Sequence, residues 1–253
     1  MTERIFSAMM KDKRAPAKHR AKNLLHVAPG RRYSPRTSMP SPFPSLPDPE
    51  LASLAARLAD SRETWLLHAL KDHTAALLDG LPSTLMHNAL RSIQADEGSV
   101  WLTPDGGHTL TPCWNNGPQA ARFVGHFSMP ASEGLTGLVF TSSMGSSESE
   151  VCFNQQQNRA LDESLGVFTW AMLAVPLRLG GQVCGVITAV RLIRRADLGG
   201  LQRVPGSRED FPAGFTPPPS FSVADLQAME TTATALGRLL DHRLNCWLMR
   251  VEE

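Results

Sequence analysis

Apolar residues recur along the chain first at helical spacing, then in short strand-like blocks, then in one long continuous run. From Pro49 onward Leu51, Leu54, Leu58, Trp65 and Leu66 follow helix-like steps. A second helical run carries Leu77, Leu78, Leu81, Leu85, Ala89, Leu90 and Ile93, and Gly80 and Pro82 predict a bend or break in the chain at its start. The segments "GSVWLT" (Gly98 to Thr103) and "HTLTPCW" (His108 to Trp114) read as strands on either side of a "PDGG" turn signal. "ARFVGHFSM" fits a strand or a connector, "GLTGLVFTSS" (Gly134 to Ser143) a short helix against a sheet, and "SEVCFN" (Ser149 to Asn154) a short strand; "QQQNRALDES" has helical propensity. The longest apolar run, "AMLAVPLRLGGQVCGVITAVRL" (Ala171 to Leu192), predicts two strands joined at Gly180-Gly181. Both halves are apolar on both faces, whereas a strand with one wet face alternates. Either the hairpin is only the floor of a core, or one of its faces looks into a pocket.

After Arg191 the pattern collapses. Residues 194–220 hold charge, glycine and the run Pro217-Pro218-Pro219, a long loop insertion of a kind that is uncommon inside a domain. Order returns at "FSVADL". Ser222 is placed as an N-cap with Asp225 three residues on, and Phe221 and Leu226 suit a hydrophobic staple. Leu226, Met229, Ala233, Leu236, Leu240, Leu244 and Trp247 then form an apolar stripe. Helices at the ends around a meandering sheet indicate an α+β fold rather than an alternating βαβ one.

Charge divides the chain. In residues 1–47 ten Lys and Arg stand against two Asp and Glu, a net of +8; with +1 for the whole, the remainder carries −7. Residues 1–48 read as a disordered basic, proline-rich arm, 49–74 as an N-terminal helix suited to dimerisation, and 75–249 as the folded domain. An acidic body argues against nucleic-acid binding by the folded part, although the arm could touch an anionic partner. No apolar run approaches the ~20 residues that span a bilayer, so no membrane partner is expected. The N-terminus lacks the apolar centre of a secretory signal, and a cytoplasmic location is expected, with an organelle transit peptide or a misassigned start as alternatives for the arm. The four cysteines, Cys113, Cys152, Cys184 and Cys246, are widely spaced, which suggests neither a zinc site nor a disulfide framework.

Four stretches in order resemble the GAF domain family over about Ala75 to Leu244: "ADEGSVWL" (Ala95 to Leu102), "EGLTGLVFTSS" (Glu133 to Ser143), "LDESLGVFTWAMLAVPLRLGGQVCGVITAV" (Leu161 to Val190) and "FSVADLQAMETTATALGRLLDHRL". The resemblance implies an antiparallel sheet of five or six strands. Terminal helices would pack on one face, and short helices and loops would enclose a small-molecule pocket on the other. It also implies a sensory or regulatory role. No Walker loop, kinase nucleotide motif or helix-turn-helix is visible, so output would pass through a separate effector chain.

Candidate ligand-binding residues follow from the same resemblance. Asp162 and Glu163 match the Asp-Glu of the signature found in cyclic-nucleotide-binding members, and Asn158-Arg159 partly echo its Asn-Lys. Trp114, Phe153, Trp170 and Met172 lie on or beside predicted strands where an aromatic or thioether group could meet a planar ligand; ordinary core packing is the plainer account of them. Cys152 opens an enzymatic alternative, a thiol-dependent reductase of free methionine sulfoxide. That family carries a cysteine in its glycine turn, and Gly134-Leu135-Thr136-Gly137 has none. His108 and His126 are isolated and suggest no metal or haem site. The expectation is a non-enzymatic sensor of an unidentified small molecule, with no cofactor named, dimerising through its terminal helices. A reductase and a ligand-free adaptor are the alternatives.

Overall fold

A computed structural model describes residues 77–199 and 205–251, together with Thr64; the arm expected over 1–48 and nearly all of the helix expected over 49–74 lie outside the described residues. Helix α1 (Leu81–Ser92) starts where the sequence signals a break: Gly80 has φ +65° and Pro82 sits in the first turn, where a missing N–H costs nothing. Strands β1 (Glu97–Leu102) and β2 (Thr109–Asn115) follow as a hairpin over the "PDGG" turn. The ambiguous "ARFVGHFSM" segment resolves into a connector with a 3-10 turn at Ala120–Arg122, ending in a two-residue strand, β3 (Met129–Pro130). Helix α2 (Gly134–Ser142) is the expected short helix, and β4 (Ser146–Ser149) precedes a 3-10 turn at Val151–Phe153.

That turn corrects the strand expected over Ser149 to Asn154. Glu150 takes a left-handed φ of +56°, which ends β4 and curls Val151–Phe153 into the core. Helix α3 (Ala160–Leu165) then leads into β5 (Val167–Leu179) and β6 (Gln182–Arg194), and α4 (Val223–Val251) closes the domain. Gly180 and Gly181 have φ +60° and +86°, the left-handed pair that a two-residue hairpin turn needs to match strand twist.

The six strands form one sheet in the order β3-β2-β1-β6-β5-β4, with every pairing antiparallel. The long hairpin lies in its interior. Away from the irregularities of β5 and its partner, side chains alternate between two cores. Val100 and Leu102 of β1, Leu173, Val175 and Leu177 of β5 and Ile187 of β6 face α1 and α4. Trp101, Met172, Ala174 and Val186 face the opposite way, with Leu135 and Val139 of α2 above them. Both faces of the hairpin are thus shielded, as its unbroken apolar character requires. Each large aliphatic side chain so buried contributes roughly 1.5–3 kcal/mol.

The apolar stripe of α4 is consumed by this arrangement. Met229, Ala233, Leu236, Leu240 and Leu244 are all 5% exposed or less and belong to the helix-side core. The helix starts with the expected capping box: the Ser222 N–H and hydroxyl donate to Asp225 Oδ2 at 2.8 and 2.9 Å, and the Asp225 N–H donates to Ser222 Oγ at 3.2 Å. Gly237 lets α4 ride directly on the sheet, since a Cβ there would lie 2.3 Å from the Arg178 carbonyl oxygen.

One buried cation ties the helix layer to the sheet. Arg191 of β6, 7% exposed, donates to the carbonyls of Ile93 (2.8 Å), Gln94 (3.2 Å), Pro219 (2.8 Å) and Ser220 (3.0 Å). Its guanidinium lies 4.3 Å from the centre of the Phe221 ring. The end of α1 and the approach to α4 therefore share one anchor. Of the long loop insertion, residues 205–220 dock onto the domain: Phe211 sits 5.9 Å from Phe153 and 5.8 Å from Trp170, ring centre to ring centre, and Arg208 Nε donates to Glu150 at 2.7 Å. Among the described residues no helix is long and apolar enough to cross a membrane.

Candidate functional site

A cavity of about 80 Å³ opens between the sheet and the α2/α3 side. Strand alternation builds its floor. Glu97, Ser99 and Trp101 come from one face of β1, and Thr188, Val190 and Leu192 from the same face of β6. A register shift around Trp170 puts Thr169 and Met172 of β5 on that face as well. Leu135 and Thr136 at the start of α2, Leu161 and Asp162 of α3, and Phe123 and Phe127 of the connector form the walls. The connector is fastened to α3: Gln119 Nε2 donates to the Leu165 carbonyl at 3.2 Å and Arg122 Nη2 to the Ser164 carbonyl at 3.0 Å.

The polar groups are held in place by neighbours. Asp162 accepts the Thr169 N–H on Oδ2 at 2.9 Å and the Thr169 hydroxyl on Oδ1 at 3.1 Å. Burial pushes its carboxyl above the ordinary range despite those bonds and the nearby Arg159. Glu97 is also raised by burial, against a hydrogen bond from Asn115 and the field of Arg194, with Asp96 adding repulsion. Trp101 Nε1 donates to Thr188 Oγ1 at 3.1 Å, and Asn115 Nδ2 donates to Ser99 Oγ at 3.0 Å. Among the described residues, no lysine, arginine, histidine or cysteine lines the cavity. Nor do the described residues contain a group of three or more His, Cys, Asp or Glu side chains placed to hold a metal ion.

Of the seven residues singled out from sequence, Asp162 and Met172 line this cavity and five lie elsewhere. Trp114 turns to the helix side, where its indole N–H donates to Ser83 Oγ at 3.1 Å and its ring meets His87 edge-on at 5.1 Å. Phe153 and Trp170 pack edge-on at 5.9 Å within the aromatic group that receives Phe211. Glu163 points to solvent from α3. Cys152 is buried in the helix-side core, and burial pushes its thiol up to about 11. Cys113 is pushed to about 11 for the same reason, and Cys184 lies in the same core.

The floor residues Glu97, Ser99, Trp101, Thr169 and Thr188 were not singled out, yet they carry a signal. Glu97, Ser99 and Trp101 share one strand face, and Thr169 and Thr188 are hydroxyl residues within largely apolar strands. A second, larger groove of about 550 Å³ lies between α4 and the outer end of β5, lined by Arg178, Glu230, Arg238 and Asp241 among others. Its charges are mixed, and Pro176 blunts the strand edge beside it.

The profile of the GAF domain family matches residues 78–240. No curated protein sequence matches the chain significantly. Similar solved structures include the GAF-B domain of DevS from Mycobacterium smegmatis, 17% identical, covering 70% of this chain and 98% of that one with a TM-score of 0.47. The GAF domain of a phosphoenolpyruvate-protein phosphotransferase from Acinetobacter is 18% identical, with coverage of 73% and 92% and a TM-score of 0.46. A type II free methionine-R-sulfoxide reductase from Thermoplasma acidophilum is 16% identical, with coverage of 68% and 96% and a TM-score of 0.43. The six-stranded antiparallel sheet, the terminal-helix layer on one face and the capped cavity on the other agree with the profile, which spans more than half of the chain. The chain belongs to the GAF domain family.

Proposed function

We propose that this protein is a non-enzymatic sensor: it takes a small molecule into the cavity beneath α2 and α3 and passes the occupancy signal to a separate partner chain. The observation that carries this reading is the cavity itself, an apolar chamber into which a few fixed polar groups converge, the usual form of a small-ligand site. Its volume of about 80 Å³ suits a compact ligand better than a nucleotide, which argues against the cyclic-nucleotide role implied by the match of Asp162 and Glu163 to that signature. The reductase alternative finds no support in the thiols, because Cys113, Cys152 and Cys184 belong to the opposite face of the sheet and two of them are held protonated at neutral pH.

A route from ligand to surface runs through one strand. Val190 and Leu192 line the cavity, and Arg191 between them grips the end of α1 and the approach to α4 from the other face. A ligand that shifts β6 acts on both helix ends at once. Self-association through the terminal segments rests on the Leu51 to Leu66 periodicity, because the Met229 to Leu244 stripe is spent on the domain's own core.

A thermal-shift panel of chemically diverse compounds, run on the full chain and on Met172→Trp, tests the reading. A binder raises the wild-type midpoint by mass action and has no effect once the cavity is filled. A panel that moves neither protein, or moves both equally, would overturn it.

A further inference from the structure

We propose that the cavity selects a compact organic cation of the ammonium type, recognised by the Glu97 and Asp162 carboxylates against aromatic walls. This deepens the sensor reading and rests on it. Among the described residues, two acidic side chains line one small cavity and no basic side chain does. The nearest cations stand outside the lining. Arg159 is committed to the Cys152 and Asn154 carbonyls at 3.0 and 3.4 Å, and Arg194 is exposed at the end of β6. Both carboxyl groups are half-buried, and the raised proton affinity of both expresses incomplete compensation of their charge. An ammonium group entering the cavity supplies the missing charge, and a charge pair formed away from water is screened less than one at the surface.

Other features of the lining suit an occupant of this kind. Thr136 lines the same cavity at 7% exposure and adds a hydroxyl to its polar lining. Trp101, Phe123 and Phe127 contribute aromatic rings to the lining, and ring faces attract organic cations. The start of α2 also borders the cavity and offers backbone N–H groups, so an anion is the competing occupant that the test must separate.

The experiment compares matched pairs by thermal shift on the full chain: n-butylammonium chloride against 1-butanol, and choline chloride against 3,3-dimethyl-1-butanol, with sodium phosphate and cyclic GMP as anionic probes and sodium chloride to hold ionic strength. We expect saturable stabilisation by at least one cation and none by its uncharged counterpart. Glu97→Gln and Asp162→Asn should each weaken that cation's apparent affinity at least tenfold, while Glu163→Gln, which removes a solvent-facing acid of the same helix, should not change it. If Asp162→Asn does not melt cooperatively because Thr169 loses an acceptor, Glu97→Gln alone decides. Equal stabilisation by the neutral members, or equal loss in Glu163→Gln, would overturn the cation assignment. Stabilisation by phosphate or cyclic GMP that Met172→Trp abolishes would overturn the assignment and leave the sensor reading standing. No response to any probe would overturn the assignment, and the sensor reading would then stand or fall on the broader panel.

Discussion

Asp162 and Glu97 carry the most consequence of any single residues. Both carboxyl groups are raised by burial, so the unfolded chain ionises before the folded one as pH climbs above the ordinary carboxylate range. Each group leaves stability intact below about pH 4 and subtracts from it as pH rises through its folded value. Melting of Asp162→Asn across pH 4 to 8 should therefore show the variant gaining on the wild type as pH rises; a difference that stays constant or moves the other way would contradict the assigned cause. The thiols give a second prediction. With Cys113 and Cys152 pushed to about 11, Ellman's reagent at neutral pH should modify them at least ~100-fold more slowly in the native protein than in guanidinium. At this scale the sequence was legible in part. Asp162 stood out through a family signature and Met172 through its strand. Trp114, Phe153 and Trp170 were drawn toward a ligand by their chemistry, yet which face an aromatic takes depends on local register. The shift around Trp170 places that ring with Phe153 on the helix side, and no periodicity announces it.

At the scale of elements, capping chemistry was the most readable feature. The Ser222–Asp225 box appears where the residues place it, because it needs only neighbours three apart. Ser222→Ala should lower the stability of the domain by about 1 kcal/mol in urea melts. Gly237 sits where α4 meets β5, and Gly237→Ala should cost roughly 1–3 kcal/mol, as overpacking typically does, because the added methyl would press on the Arg178 carbonyl. The hairpin was legible for the same local reason as the cap: two glycines and two unbroken apolar runs suffice. The strand expected at Ser149 to Asn154 was not. Its alternation is real, but Glu150 turns left-handed and Arg208, 58 residues away, holds its carboxylate. A contact at that sequence distance leaves no local trace.

For the whole molecule, the organising fact is a sheet covered on both sides, with helix packing behind and a small chamber in front. Arg191 is the fastening between the layers. Replacing it with methionine would leave carbonyls of Ile93, Gln94, Pro219 and Ser220 without their donor, and should cost roughly 3 kcal/mol or more, since hydrogen bonds from a charged group contribute about 1.5–3 kcal/mol each. The α+β class could be inferred from where apolar runs lie, and the two-sided cover of the sheet from the four stretches that resemble the GAF family. The contents of the chamber could not, because they depend on which faces of β1, β5 and β6 converge. Native mass spectrometry of the full chain, purified gently from its own host, tests the central claim most directly. The account predicts a discrete adduct of a single small molecule on the wild type and none on folded Met172→Trp. A wild-type chain that carries no adduct, or the same adduct on both proteins, would contradict it.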